Sequence, residues 1–172
     1  RIETAFHKVD ETLLQEAIPA DFFPPCMKLG LAGLKDGKKR FMFVLVNFLS
    51  SCGYDYDTIA TMLEEWNKKN PEPLREVLLK GHVRYAKQHA KKVLPPNCDN
   101  RGYYIDMGIC KPDGLCSRIK NPAQYAKRKA FLANLRKDDE EKGVKGMRVH
   151  LTEEQKEIRK RFREKSKQTA VS

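Results

Sequence analysis

Phe23-Pro24-Pro25-Cys26, Pro95-Pro96-Asn97-Cys98 and Gly108-Ile109-Cys110-Lys111-Pro112-Asp113-Gly114-Leu115-Cys116 stand out from the rest of the chain. Together they hold Cys26, Cys98, Cys110 and Cys116, which read as one thiolate cage closed across the middle of the chain. Four soft sulfur ligands select an iron–sulfur cluster or zinc. Seventy-one residues separate the first two cysteines, eleven the next pair and five the last, so none forms the short knuckle common in structural zinc sites. A cluster is larger than a single ion and accepts ligands from widely spaced loops. The paired prolines before Cys26 and Cys98 fix the backbone and remove N–H donors beside the sulfur. Zinc and four ordinary buried thiols remain the alternatives at this level, since free Cys is among the most buried residue types. Cys52, at the end of an apolar segment, reads as a packed core thiol.

Working outward, the chain is predicted to be all-α. Residues 2–17 place Ile2, Phe6, Val9, Leu13 and Ala17 at helical spacing, ending before Pro19. Lys39–Ser51 is apolar on nearly every side, interrupted by Asn47, and is expected to be the central helix, with Gly53 just past its end. Asp55 reads as the N-cap of a helix to about Lys69 that carries Ile59, Leu63 and Trp66. Leu74–Ala90 reads as a basic helix. From Pro95 to Ile119 the chain turns to loops and short helical turns. Asn121-Pro122 restarts a helix to about Leu135. The expected division is residues 1–136 as a helical domain around the cage, 137–150 as a charged linker and 151–172 as a basic helix or tail opened by the capping box Thr152-Glu153-Glu154-Gln155.

The 172 residues suffice for one real core. A net charge of +11 makes nucleic acid the first partner to consider. The charge is polarised: from Arg118 to the end there are 17 Lys and Arg against 8 Asp and Glu, whereas residues 1–24 carry 2 against 5. Cations recur beside flat side chains: Arg84 and Lys87 with His82, Tyr85 and His89; Arg101 with Tyr103 and Tyr104; Lys127, Arg128 and Lys129 with Tyr125. Lys38, Lys39 and Arg40 fall where the central helix begins and its N–H groups favour a phosphate. His82 and His89 are seven apart, too far for the usual zinc pair, and read as packing or hydrogen-bonding residues. Asp106 and Asp113 read as loop caps. No stretch approaches the roughly 20 apolar residues of a membrane span. Five cysteines with no visible signal peptide point to reduced thiols and against a disulfide framework. The chain opens on Arg1, as a fragment of a longer protein would. No phosphate loop, trusted carboxylate pair or nucleophile–base pair is evident, so no catalytic residue is predicted and the chain is expected to assist an active site located elsewhere.

The Pro-Pro-Cys-Met opening, the apolar helix ending in Ser-Cys-Gly-Tyr before a capped helix with Trp66, the Pro-Pro-Asn-Cys, and the Gly-Ile-Cys-x5-Cys-Ser-Arg-Ile-Lys-Asn-Pro segment resemble the C-terminal iron–sulfur domain of the archaeal and eukaryotic DNA primase large subunit. The resemblance covers about residues 10–130. It implies a helical domain in which Cys26, Cys98, Cys110 and Cys116 hold a 4Fe-4S cluster, zinc being the alternative. It also implies binding of DNA template, of the 5′ end of an RNA or DNA primer and of a nucleoside triphosphate, beside a catalytic small subunit or fused catalytic domain. The candidate contacts are Lys38, Lys39, Arg40, Arg84, Tyr85, Lys87 and Arg101. Where relatives commonly carry arginine in the central helix this chain has Met42, and Tyr85 stands at a family histidine. The implied location is the cytoplasm for an archaeal-type protein or the nucleus for a eukaryotic one.

Overall fold

The computed structural model describes residues 16–89 and 93–146, with Glu157, Lys160 and Arg161 beyond them. The helix expected over residues 2–17 and most of the capped tail helix lie outside the described residues. Five α-helices are described: α1 (Pro25–Leu31), α2 (Lys38–Ser51), α3 (Tyr56–Lys69), α4 (Glu76–Gln88) and α5 (Pro122–Gly146). Short 3-10 turns lie at Ala20–Phe22 and Cys116–Arg118, and the described residues contain no strand. The chain divides into two compact units, Arg1–Leu132 and Ala133–Ser172.

In the first unit α2 is the axle. Its Phe41, Val44, Leu45, Phe48 and Leu49 are wholly buried, because a helix apolar on all faces must be covered on all sides. Each such side chain contributes roughly 1.5–3 kcal/mol relative to exposure. Helices α3 and α4 pack on it and on each other. The start of α3 is set by Asp55, whose Oδ1 accepts the Thr58 N–H at 2.7 Å. Trp66 of α3 is buried against Phe41, ring centres 5.2 Å apart, and its Nε1 donates to the Gly30 carbonyl at 2.9 Å. A Cβ at Gly30 would stand 2.1 Å from the Phe41 ring, so glycine is what lets α1 approach this closely. Cys52 is fully buried just past α2, as its sequence position suggests, and Gly53 follows at φ 90°.

Two expectations need correction. Helix α4 begins at Glu76, with Arg75 extended before it, and not at Leu74. Helix α5 does not stop near Leu135; it continues to Gly146, so residues 137–146 are helical and not a loop. Asp138 and Lys142, Lys137 and Glu141, and Glu141 and Lys145 are four apart, where opposite charges support an exposed helix. That spacing offsets part of the cost of Gly143, about 1 kcal/mol.

Candidate metal centre and nucleic-acid interface

Cys26 sits in the first turn of α1, directly after Pro24 and Pro25. The other three cysteines are carried by loops whose anchors are local. The Cys98 N–H donates to the Lys120 carbonyl at 2.7 Å, joining the second cysteine loop to the end of the third. The Tyr104 hydroxyl donates to the Pro96 carbonyl at 2.6 Å, while the Tyr104 carbonyl accepts the Ile109 and Cys110 N–H groups at 3.1 Å each. Asp113 Oδ1 accepts the N–H groups of Leu115 and Cys116, and its Oδ2 accepts the Tyr125 hydroxyl at 2.6 Å.

All four cysteines line one cavity of about 250 Å³, walled also by Pro24, Tyr104, Ile119 and Pro122. Among the described residues no three His, Cys, Asp or Glu side chains are placed to hold a metal ion. Four soft sulfurs around a common space are the donor set that an iron–sulfur cluster or zinc would take.

The electrostatics agree with the geometry. Burial pushes the Cys26 thiol up to about 12, with the neighbouring Cys98 and Cys116 adding to the rise. Burial, then Cys116 and Cys110, pushes Cys98 up to about 11. Burial also raises Cys116. The sulfurs thus disfavour one another's negative charge, and holding all of them as thiolates requires positive charge in the space they share. Tyr104 is driven well above the usual phenol range, by burial first and then by Cys26 and Cys98.

The predicted nucleic-acid residues are only partly brought together. Lys38, Lys39 and Arg40 form the first turn of α2 after Gly37, whose φ of 75° suits glycine. Arg40 Nη1 donates to the Gly102 carbonyl, and Arg101, next in the chain to that glycine, is exposed. Met42 is buried in the core and contributes nothing to that face. On α4, His82, Tyr85, Ala86 and His89 line a second cavity, of about 80 Å³, closed by Phe43, Asn47 and Ser50 of α2. Arg84 and Lys87 are exposed on other faces of α4, and Lys87 Nζ lies 3.9 Å from Asp57 Oδ1. Tyr85 is 61% exposed and stacks on His89 at 4.0 Å. His82 is half-buried, edge-on to Phe43, and its pKa is lowered by burial. Phe43 also lies 6.2 Å from Tyr103, linking this cavity to the loop that Arg40 grips. In the sequence Asn47 is only a break in an apolar run; its Nδ2 is buried with no hydrogen-bond partner among the described residues, and it lines the cavity. No helix among the described residues is long and apolar enough to cross a membrane.

Comparison with known proteins identifies the family. Residues 16–170 match the family model for the C-terminal domain of the eukaryotic and archaeal DNA primase large subunit. The chain is 26% identical over 132 residues to the DNA primase large subunit PriL of Methanococcoides burtonii, covering 74% of this chain and 35% of that protein. It is 30% identical over 125 residues to PriL of Methanosarcina barkeri, covering 70% and 29%. With PriL of Thermococcus kodakarensis the identity is 24% over 157 residues, covering 70% and 39%. The chain thus spans about a third of the length of these relatives. No solved structure matches it at a comparable level of significance. A match running over nearly the whole chain, joined to the cysteine order and the helical frame around it, places this protein in the family defined by the C-terminal domain of the eukaryotic and archaeal DNA primase large subunit.

Proposed function

We propose that this domain supports primer synthesis in DNA replication without carrying the catalytic site. It holds a 4Fe-4S cluster on Cys26, Cys98, Cys110 and Cys116 and binds template together with the primer 5′ end or initiating nucleotide. The nucleotidyl transfer belongs to a small subunit or fused catalytic domain. The observation that carries the reading is the shared cavity of about 250 Å³ at which cysteines distant in sequence converge. When bound, the cluster supplies the positive iron charge that four thiolates need, and so staples the loops to α1.

The nucleic-acid part of the reading rests on two adjoining features. Lys38, Lys39, Arg40 and Arg101 offer cations to phosphates at the start of α2, where the first N–H groups of the helix are unpaired. Beside them, the Asn47 amide in the α2–α4 cavity offers an unused donor among aromatic rings, which suits an oxygen acceptor on a nucleotide. Arg84 and Lys87 lie outside that cavity and would serve as backbone contacts.

Binding to an RNA-primed DNA template across a salt series tests this. Substituting Lys38, Lys39 and Arg40 by Glu is expected to weaken binding and to flatten the plot of log affinity against log salt by about 0.9 for each phosphate no longer neutralised. Unchanged affinity with an unchanged slope removes this surface from consideration.

A further inference from the structure

The loop from Cys110 to Cys116 carries two of the four cage cysteines, yet Lys111, Pro112, Asp113 and Gly114 are all exposed. Such a segment has little apolar side chain to hold it down. Asp113 ties it instead, and its two oxygens do separable work. Oδ1 accepts the N–H groups of Leu115 at 3.0 Å and Cys116 at 3.2 Å, shaping the backbone on which the last cysteine sits. Oδ2 accepts the hydroxyl of Tyr125 at 2.6 Å. Tyr125 is 1% exposed in the first turns of α5, so the loop is bonded to a side chain that cannot move freely. One turn further on, Lys129 Nζ lies 5.4 Å from the Tyr125 ring centre and 3.4 Å from its hydroxyl. A cation on one side and a carboxylate on the other polarise the O–H toward Asp113.

We propose that Asp113, held in place by Tyr125, is a positioning residue for the Cys116 thiolate, and that this pair sets the rate at which a bound cluster leaves the cage. The proposal rests on the iron–sulfur reading above. Without the tie, the loop would open and Cys116 would no longer be held as a ligand to a bound cluster, which would then be exposed to solvent and chelators. Losing a charge-assisted hydrogen bond shifts such an open–closed equilibrium by roughly ten- to a hundredfold.

The test uses anaerobically purified full-length chain as wild type, Tyr125→Phe, Asp113→Asn and the double variant. Iron and sulfide are quantified first, and an iron chelator is then added while the visible absorption is followed. Tyr125→Phe keeps the buried ring, and Asp113→Asn keeps an oxygen for the two N–H groups. Each single substitution is expected to speed loss about tenfold or more. The double is expected to be no faster than the faster single, because both remove the same charge-assisted bond from the Tyr125 hydroxyl to the carboxylate. Resonance Raman bands of the iron–cysteine stretches are expected to shift in both singles. Wild-type loss rates in the singles, multiplied effects in the double, or unshifted stretches would overturn the proposal. Tyr125→Phe carries the test alone should Asp113→Asn fail to accumulate. Wild-type protein without iron and sulfide would refute the cluster reading itself, a separate outcome.

Discussion

The Tyr104 hydroxyl and the Pro96 carbonyl oxygen lie 2.6 Å apart, and through that bond the loop before Cys98 is fastened to the segment that leads to Cys110. Because the Tyr104 carbonyl also accepts the Cys110 N–H, one buried residue holds two cysteine loops by its two ends. Tyr104→Phe is expected to keep the packing, cost about 0.5–1.5 kcal/mol in denaturant unfolding, and lower the metal retained per chain. Full metal content with wild-type stability would show that the bond does not organise the cage.

Close approach at Gly30 gives a second prediction, on the fold alone. The Phe41 ring at 2.1 Å from a Cβ built there is wedged against Trp66 and fully buried, so it has nowhere to go. Gly30→Ala is expected to destabilise by about 1–3 kcal/mol through overpacking. A midpoint unchanged in urea would mean that α1 can slide away at no cost.

How much of this was legible in the sequence follows from the range of the interactions. Helix α2 and the Asp55 cap are local features: a nearly unbroken apolar run from Phe41 to Leu49, and an Asp three residues before the Thr58 N–H it accepts. The cysteine order, with paired prolines before two of them, was legible for the same reason. The bonds from Tyr104 to Pro96 and from Asp113 to Tyr125 join separate segments, and neither has a local signature. Tyr125 stood beside Lys127–Lys129 in the sequence and read as part of a basic–aromatic cluster, whereas it is buried and faces Asp113. Helix α5 extends to Gly146 through a charged run with a glycine that has the composition of a linker, while its four-residue charge spacing is a helix signal.

Asn47 separates function from stability. Its buried Nδ2 has no partner among the described residues, and such a group costs about 1–3 kcal/mol. Asn47→Ala is therefore expected to leave stability within about 1 kcal/mol of wild type, or to raise it, while weakening primer–template or nucleotide binding roughly tenfold. A clear loss of stability with unchanged binding would make Asn47 a packing residue.

Cys52 gives a pH dependence with a definite sign. Burial pushes its thiol from the ordinary 9.0 up to about 12, partly offset by Lys127. The folded state therefore holds this proton more tightly than the unfolded chain, and the stabilisation is complete below about pH 9. It is lost progressively as pH rises toward about 12. Thermal melts of Cys52→Ala are expected to fall less steeply than wild type over that interval. Parallel curves would mean that the thiol does not titrate differently on folding.

The most direct test of the central claim is quantification of iron, inorganic sulfide and zinc in protein purified without oxygen. A cluster on Cys26, Cys98, Cys110 and Cys116 predicts about four iron and four sulfide per chain, with substitution of any one of these cysteines lowering both. One zinc per chain in folded, colourless protein, with no sulfide, would contradict it.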